Sequence, residues 1–270
     1  MNLSELLYLS ISMCMIISMA EKYLISIIDD ITKLKANSEI RSRIIGMMDY
    51  HDTKDNDLSG KYNIDKVVCK NISFSYDNKV IINDFNHVFK KGKKYLIVGP
   101  SGSGKTTILN IIAGKNKNYN GSVKYYNEDK IIDDVGNSIS FCEQNVFLFE
   151  DTIFNNITMF KNYSKSRLNK VIEECEINKV LGKNDLNLNS RILENGKNLS
   201  GGQKQIIAVA RTLLKDASIY IFDEPTSSID KKTSIIIHEA LKRIDGILIE
   251  VTHDKSKEIT TGFDEIVEVK

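Results

Sequence analysis

The order of apolar and polar positions predicts strands that alternate with helices from residue 62 onwards. Alternating apolar positions favour a half-exposed strand at residues 71–78, "NISFSYDN". The short apolar run "KKYLIVG" is typical of a buried parallel strand. Further strands are predicted at "GSVKYYN", "NSISFCEQ", "SIYIFDEP" and "GILIEVTHD", and helical regions at residues 106–114, 164–181, 206–217 and 231–244. This alternation indicates an α/β domain with a largely parallel sheet.

The first fifty residues have a different pattern. Residues 6–20, "LLYLSISMCMIISMA", carry no charge, and a helix over residues 3–28 would be long enough to cross a bilayer. A membrane helix that continues into the cytosol, a buried soluble helix and a cleaved signal peptide are the three alternatives. No Lys or Arg precedes the apolar run, which argues against the signal peptide. Residues 29–48 favour a helical continuation, and the polar residues 49–61 predict a linker.

Charge and cysteine content exclude several classes of protein. Lys and Arg number 37 against 36 Asp and Glu, so a formal net charge of +1 gives no sign of a nucleic-acid surface. The cysteines are far apart and form no CxxC pair or Cys/His cluster, at Cys14, Cys69, Cys142 and Cys175. We therefore expect reduced thiols without a zinc site or a disulfide framework.

A glycine-rich segment lies between a predicted strand and a predicted helix. Such a loop binds phosphates through inward-pointing backbone N–H groups and the helix N-terminus. The pattern "GPSGSGKTT" predicts that Lys105 reaches the β- and γ-phosphates and that the Thr106 hydroxyl binds Mg²⁺. The predicted loop consists of Gly99, Pro100, Ser101, Gly102, Ser103, Gly104, Lys105, Thr106 and Thr107.

Two acidic residues end the apolar strand "IYIFDEP". Asp223 is placed to complete a magnesium shell, and Glu224 to orient or deprotonate a water that attacks the γ-phosphate. His253 follows another apolar strand, in "VTHD", and by itself fits an ordinary surface or loop histidine better than a functional one.

A second candidate anion site lies in "KNLSGGQKQIIAVAR", residues 197–211. Ser200, Gly201 and Gly202 precede an amphipathic helix, so they offer a hydroxyl and backbone N–H groups at a helix N-terminus.

Together these motifs make residues 62–270 resemble the ATP-binding cassette (ABC) family, whose signature matches "LSGGQ". The resemblance implies a P-loop NTPase-type ABC cassette: a mainly parallel sheet core, an antiparallel β subdomain and an α-helical subdomain, here preceded by an N-terminal helix. It implies ATP and Mg²⁺ as cofactors. It also implies that two cassettes pair head to tail, as a homodimer or heterodimer, with each signature closing on the other's ATP.

The resemblance implies a role for each matching position. Tyr76 would stack on adenine, and Gln144 would join the magnesium site and sense a transmembrane partner. Glu224 would be the catalytic carboxylate, and His253 would touch the γ-phosphate. Asp230, in "SSID", would communicate between the two ATP sites. Contacts to the partner's ATP would come from Ser200, Gly201, Gly202 and Gln203.

The segment "EQNVFLFEDTIFNNI" resembles the exporter branch, in which it meets the helices of a membrane domain. Residues 1–48 then resemble the end of the last of six membrane helices, so other segments would come from a longer chain or another polypeptide. Two positions depart from the family pattern: Arg191 replaces an acidic residue, and Ile206 replaces an arginine. The expected protein is an exporter ATPase at the cell membrane with its cassette in the cytoplasm. A soluble ABC ATPase and a non-transporting remnant are the alternatives.

Overall fold

The computed structural model describes residues 62–269, apart from residues 78, 183, 228 and 254–259. The predicted N-terminal helix (1–48) and the whole of the predicted linker (49–61) therefore lie outside the described residues. No helix among the described residues is long and apolar enough to cross a membrane.

Two sheets form the framework. The strands of the first are antiparallel neighbours in the order β2-β1-β4-β5, and those of the second are parallel neighbours in the order β6-β7-β8-β3-β9. The strands are β1 (Lys66–Tyr76), β2 (Lys79–Lys90), β3 (Lys94–Val98), β4 (Asn120–Asn127), β5 (Lys130–Ile132), β6 (Ile139–Cys142), β7 (Ile219–Asp223), β8 (Ile247–Thr252) and β9 (Glu265–Glu268).

The parallel sheet is covered on both faces, which explains its continuous apolar strands. Side chains alternate along each strand. In β7, Ile219 and Ile221 therefore pack towards the antiparallel sheet and helix α1, whereas Tyr220 and Phe222 pack towards the helical layer. In β8, Ile249 likewise packs towards the antiparallel sheet and α1, and Leu248 packs towards the helical layer.

Helix α1 packs on one face of this sheet and the other helices on the opposite face. The helices are α1 (Lys105–Ile112), α2 (Ile153–Thr158), α3 (Lys165–Glu174), α4 (Ile177–Gly182), α5 (Gly201–Leu214) and α6 (Lys231–Lys242). Side chains of Thr152, Ser164, Ser200 and Asp230 accept first-turn N–H groups at the starts of α2, α3, α5 and α6. Such caps satisfy donors that a helix start leaves unpaired.

The structure confirms the predicted α/β fold class, with parallel core, antiparallel sheet and helical layer. The helical region predicted at residues 164–181 is divided into α3 and α4, because the chain turns at Glu176, whose φ is 45°. Strands β2, β5 and β9 and helix α2 were not predicted. The pairing of β1 with β2 shifts register three times, so β2 lacks a regular two-residue period.

Candidate functional site

The phosphate loop leaves β3 and enters α1 through a backbone that requires glycine. Gly102 and Gly104 have φ of 80° and 86°, in the left-handed region that other residues rarely adopt. A Cβ on Gly104 would also lie 2.9 Å from both Ile81 and Ile82. A Cβ on Gly99 would clash with the carbonyl oxygen of Val269. The loop is therefore held closely by β2 on one side and by the end of β9 on the other.

Lys105 spans this loop from inside. Its side chain is buried, and Nζ donates hydrogen bonds to the carbonyl oxygens of Gly99 at 3.0 Å and Pro100 at 2.8 Å. An ammonium group has three donors, so one remains for a phosphate oxygen. Ser103 is also buried, and its Oγ has no hydrogen-bond partner among the described residues. A buried hydroxyl without a partner is costly, which fits a site that receives an anion.

Asp223, at the end of β7, meets the first turn of α1. Thr106 hydrogen-bonds its carboxyl group, while Oδ1 is buried without a hydrogen-bond partner among the described residues. Burial raises the pKa of Asp223 above its usual value, and the neighbouring Glu224 raises it further, whereas Thr106 and Lys105 oppose this shift. A divalent cation would satisfy the unpaired oxygen and stabilise the ionised carboxylate.

The residues at this position fit Mg²⁺. No cluster of three or more His, Cys, Asp or Glu side chains suited to a metal occurs in the described part of the chain. Mg²⁺ in nucleotide sites needs no such cage, because waters and phosphates supply most of its ligands. Thr106 and Asp223 could provide the protein ligands. Gln144 follows β6, the neighbour of β7 in the sheet.

Glu224 is the centre of a cluster at the carboxyl ends of three strands. Gln144 Nε2 donates to its Oε2 at 2.9 Å, and His253 Nδ1 lies 3.3 Å from its Oε1. The backbone of Glu224 has φ of 50°, an uncommon conformation that turns the chain away from β7. Its amide donates to the carbonyl oxygen of Val251 at 3.0 Å. The structure thus brings together all three predicted catalytic residues.

The signature residues begin helix α5. Ser200 and Gln203 form a capping box: Ser200 Oγ accepts from the Gln203 amide at 3.2 Å, and Gln203 Oε1 accepts from the Ser200 amide at 2.9 Å. Gln203 Nε2 donates to the carbonyl oxygen of Val180 in α4 at 3.2 Å. The buried Gln203 side chain therefore holds the signature in place. Ser200 and Gly201 are exposed at the start of the helix, whereas Gly202 is buried.

Asp230 lies beside the signature, at the start of α6. Its carboxylate accepts from the Thr233 amide at 3.1 Å and from Thr233 Oγ1 at 2.7 Å. A Cβ on Gly202 would lie 3.2 Å from Asp230 Oδ2, so glycine allows this close approach. Signature helix α5 packs on the opposite face of the parallel sheet from α1, which carries Lys105.

Tyr76 lies at the end of β1 with 67% of its surface exposed.

Sequence reasoning missed Arg211 and Asn156, whose side chains contact the segment that follows Gln144. The available signal was an arginine among the apolar positions of the helix predicted at residues 206–217.

Comparison with known proteins agrees with this geometry. An ATP-dependent lipid A-core flippase from Francisella tularensis is 30% identical over 207 residues, 74% of this chain and 34% of its own length. The Microcin-J25 export ATP-binding/permease protein McjD from Escherichia coli is 34% identical over 193 residues, 68% of this chain and 33% of its own length. The chain thus spans about a third of the length of these relatives.

The structure of a bacterial Atm1-family ABC exporter with ATP bound superimposes with a TM-score of 0.68 and 26% identity. The match covers 86% of this chain and 43% of that chain. A profile of the family described as ABC transporter matches residues 82–227, which include the phosphate loop, Gln144, the signature and Glu224. This match spans just over half of the 270 residues, and the chain therefore belongs to the ABC transporter family.

Proposed function

We propose that residues 62–270 are the ATP-hydrolysing nucleotide-binding domain of an ABC exporter. The observation that carries this proposal is the Gln144–Glu224–His253 cluster, which lies beside Asp223 at the strand ends that follow the phosphate loop. A phosphate loop alone would support nucleotide binding. A carboxylate held by two neighbours beside a magnesium site supports hydrolysis as well.

ATP would lie along the phosphate loop, with Lys105 and the loop amides on its phosphates and Tyr76 against the adenine. Thr106 and Asp223 would hold Mg²⁺, with Gln144 as a further ligand. The metal would neutralise charge on the β- and γ-phosphates. Loop amides and the ammonium group of Lys105 are fixed before the reaction, so they stabilise the developing charge without reorganisation.

Glu224 would act as the base for the attacking water. As the water oxygen bonds to the γ-phosphorus and the bond to ADP breaks, one water proton passes to the Glu224 carboxylate. Gln144 holds one carboxylate oxygen at 2.9 Å, so the other is directed towards His253 and the water. His253 would also contact the γ-phosphate.

A second cassette would complete the site. The signature helix packs on the opposite face of the sheet from the phosphate loop helix, which favours contact between Ser200 and the ATP of another chain. The Ser200 hydroxyl and the amides of Gly201 and Gly202 would bind that γ-phosphate, and Asp230 would link the two sites. Gln203 would contribute by holding this end of α5.

An exposed aromatic surface supports contact with a membrane domain. Phe147 and Phe160 are 66% and 61% exposed, and Phe149 packs between their rings at centroid distances of 5.1 and 6.2 Å. Large exposed apolar groups that cluster in this way mark interaction sites. Residues 1–48 would be the end of the membrane domain, and residues 49–61 the linker. The relatives named as a flippase and an export protein support a cell-membrane exporter with a cytoplasmic cassette.

The direct test is release of phosphate from MgATP by the full chain, with Glu224→Gln as the inactive control. Wild-type hydrolysis that Glu224→Gln abolishes supports the proposal, and no hydrolysis by a folded, ATP-binding wild type contradicts it. Carbonate extraction of expressing cells tests the location separately. An integral membrane segment keeps the chain in the pellet, whereas release to the supernatant contradicts the membrane assignment.

A further inference from the structure

An arginine of the signature helix contacts the segment that follows Gln144. Arg211 Nη1 donates to the carbonyl oxygen of Phe147 at 3.0 Å, and Nε donates to the carbonyl oxygen of Asn156 at 2.8 Å. Nη2 lies 3.4 Å from Asn156 Oδ1. One side chain on α5 thus binds both ends of residues 147–156, a segment 55 to 64 positions earlier in the chain.

Asn156 extends these contacts to the middle of the segment. It is fully buried, and its Oδ1 accepts from the Phe149 amide at 2.8 Å. Its Nδ2 donates to the carbonyl oxygens of Phe149 and Thr152, both at 3.0 Å. The middle of the segment is therefore held by side chains, whereas its end at Asp151 and Thr152 is held by backbone bonds to residues 191–192.

The guanidinium charge of Arg211 is paired only with neutral groups in the described part of the chain. Among the described residues, no carboxylate lies within ion-pair distance of Arg211, and burial lowers the pKa of its guanidinium group. Arg211 is half-buried, and a charge that loses water to meet only neutral carbonyl groups costs more than an apolar side chain in the same helix. Helix stability alone does not explain an arginine at this position, whereas the need to hold loop carbonyls does.

Arg211 connects helix α5 to the segment after Gln144, and each of these carries a residue proposed to act in ATP hydrolysis. Ser200 caps α5, and Arg211 follows it by about 16 Å along the same rigid helix. Gln144, three residues before Phe147, donates to Glu224. We infer that Arg211, together with Asn156, is a positioning residue that fixes the Gln144 segment to the signature helix. The inference rests on the proposed function, in which Gln144 and the signature serve ATP hydrolysis.

Arg167 provides a matched control. It lies on α3 and donates to the carbonyl oxygens of Leu214 at 2.7 Å and Leu213 at 3.2 Å, at the far end of α5. Arg167→Met thus removes arginine–carbonyl hydrogen bonds to the same helix, together with an ion pair of Arg167 with Asp216 at 3.7 Å, without touching the Gln144 segment. Arg211→Met removes all three contacts, and Arg211→Lys keeps the charge but offers fewer, differently directed donors.

The first readout is hydrogen exchange of the full chain. Arg211→Met should raise exchange of amides in residues 146–152 by about tenfold or more, since charge-assisted hydrogen bonds are lost. Arg167→Met should leave this segment at the wild-type rate, and Arg211→Lys should fall between them. Wild-type exchange of the segment in Arg211→Met overturns the inference, whether or not the chain hydrolyses ATP.

The second readout is kinetic. Arg211→Met should lower kcat about tenfold while the affinity for MgATP stays within about twofold, because Arg211 does not touch the phosphate loop. In a Gln144→Ala background it should lower kcat much less, since both changes act through one segment. Equal losses in both backgrounds, or wild-type kcat with a loosened segment, would overturn the inference. A wild type that binds but does not hydrolyse ATP refutes only the proposed function.

Discussion

Gln144 and Glu224 are 80 residues apart in sequence, yet Gln144 Nε2 donates a 2.9 Å hydrogen bond to Glu224 Oε2. The contact joins the loop after β6 to the end of β7, two neighbouring strands of the parallel sheet. It holds the side-chain carboxylate of Glu224, a residue whose backbone already has an uncommon conformation with φ of 50°. The hydrogen bond and the backbone conformation together restrict the orientation of the Glu224 side chain, as the proposed role of this carboxylate requires.

Replacement of Glu224 by Gln should separate ATP binding from hydrolysis. The amide keeps the shape of the side chain but cannot take a proton from water, so kcat should fall by about 100-fold or more. Binding of MgATP should persist, because Lys105 and the loop amides are unchanged, and ATP-bound dimers should accumulate. Phosphate release and light scattering in the presence of ATP measure the two effects. Near-wild-type turnover would refute the assignment of Glu224.

Two substitutions of Ser200 separate its capping role from its proposed contact with a partner's ATP. Ser200→Ala removes a helix cap and should lower the free energy of unfolding by about 1 kcal/mol. Ser200→Asp keeps a capping oxygen but places a negative charge where a phosphate would bind. Both should bind ATP and hydrolyse little of it. Chemical denaturation and phosphate release measure the two quantities; wild-type hydrolysis by Ser200→Asp would exclude the phosphate contact.

Glu250 gives a prediction of pH-dependent stability. It is fully buried in β8, burial raises its pKa from 4.5 to about 8, and His238 Nδ1 lies 3.8 Å from Oε2, too far for a hydrogen bond. The folded protein therefore keeps a proton that the unfolded chain releases, so this carboxyl group lowers stability as pH rises from about 4.5 towards 8. Between pH 6 and 8 the loss should be about 2 kcal/mol.

Glu250→Gln should remove this dependence, because the amide does not titrate. Urea unfolding at several pH values measures it. The control is Glu239→Gln, since Glu239 lies exposed on helix α6, next to His238 in sequence, and pairs with Lys242 at 2.8 Å. That control should keep the wild-type slope. An unchanged slope in Glu250→Gln would show that another group governs the pH response.

The sequence predicted those parts of the fold and site that local pattern encodes. Continuous apolar runs identified β3, β7 and β8, because both faces of the parallel sheet are buried. Glycine spacing located the phosphate loop, because Gly102 and Gly104 need left-handed backbone. The clustering of Gln144, Glu224 and His253 was expected only from the family resemblance, since no local pattern links three separate strand ends.

Contacts between distant segments explain what sequence reasoning missed. Strand β2 was hidden by irregular pairing with β1, at which Asn71 and Asp84 have φ of 51° and 54°. Arg211 stands in sequence among the apolar positions of a predicted helix, but only the fold shows that its partners are Phe147 and Asn156. Gln203 was expected at the nucleotide, whereas its side chain caps α5 and reaches α4; its contact with ATP stays a prediction.

The most direct test of the account mixes two inactive variants. Lys105→Ala should lose ATP binding at its own phosphate loop, and Ser200→Asp should lose the contact that its signature makes to a partner. In a mixed dimer, the intact loop of one chain faces the intact signature of the other. Phosphate release from the mixture should therefore far exceed that of either variant alone. Hydrolysis no faster than the sum of the separate variants, under conditions in which wild type is active, would contradict a site completed by a second cassette.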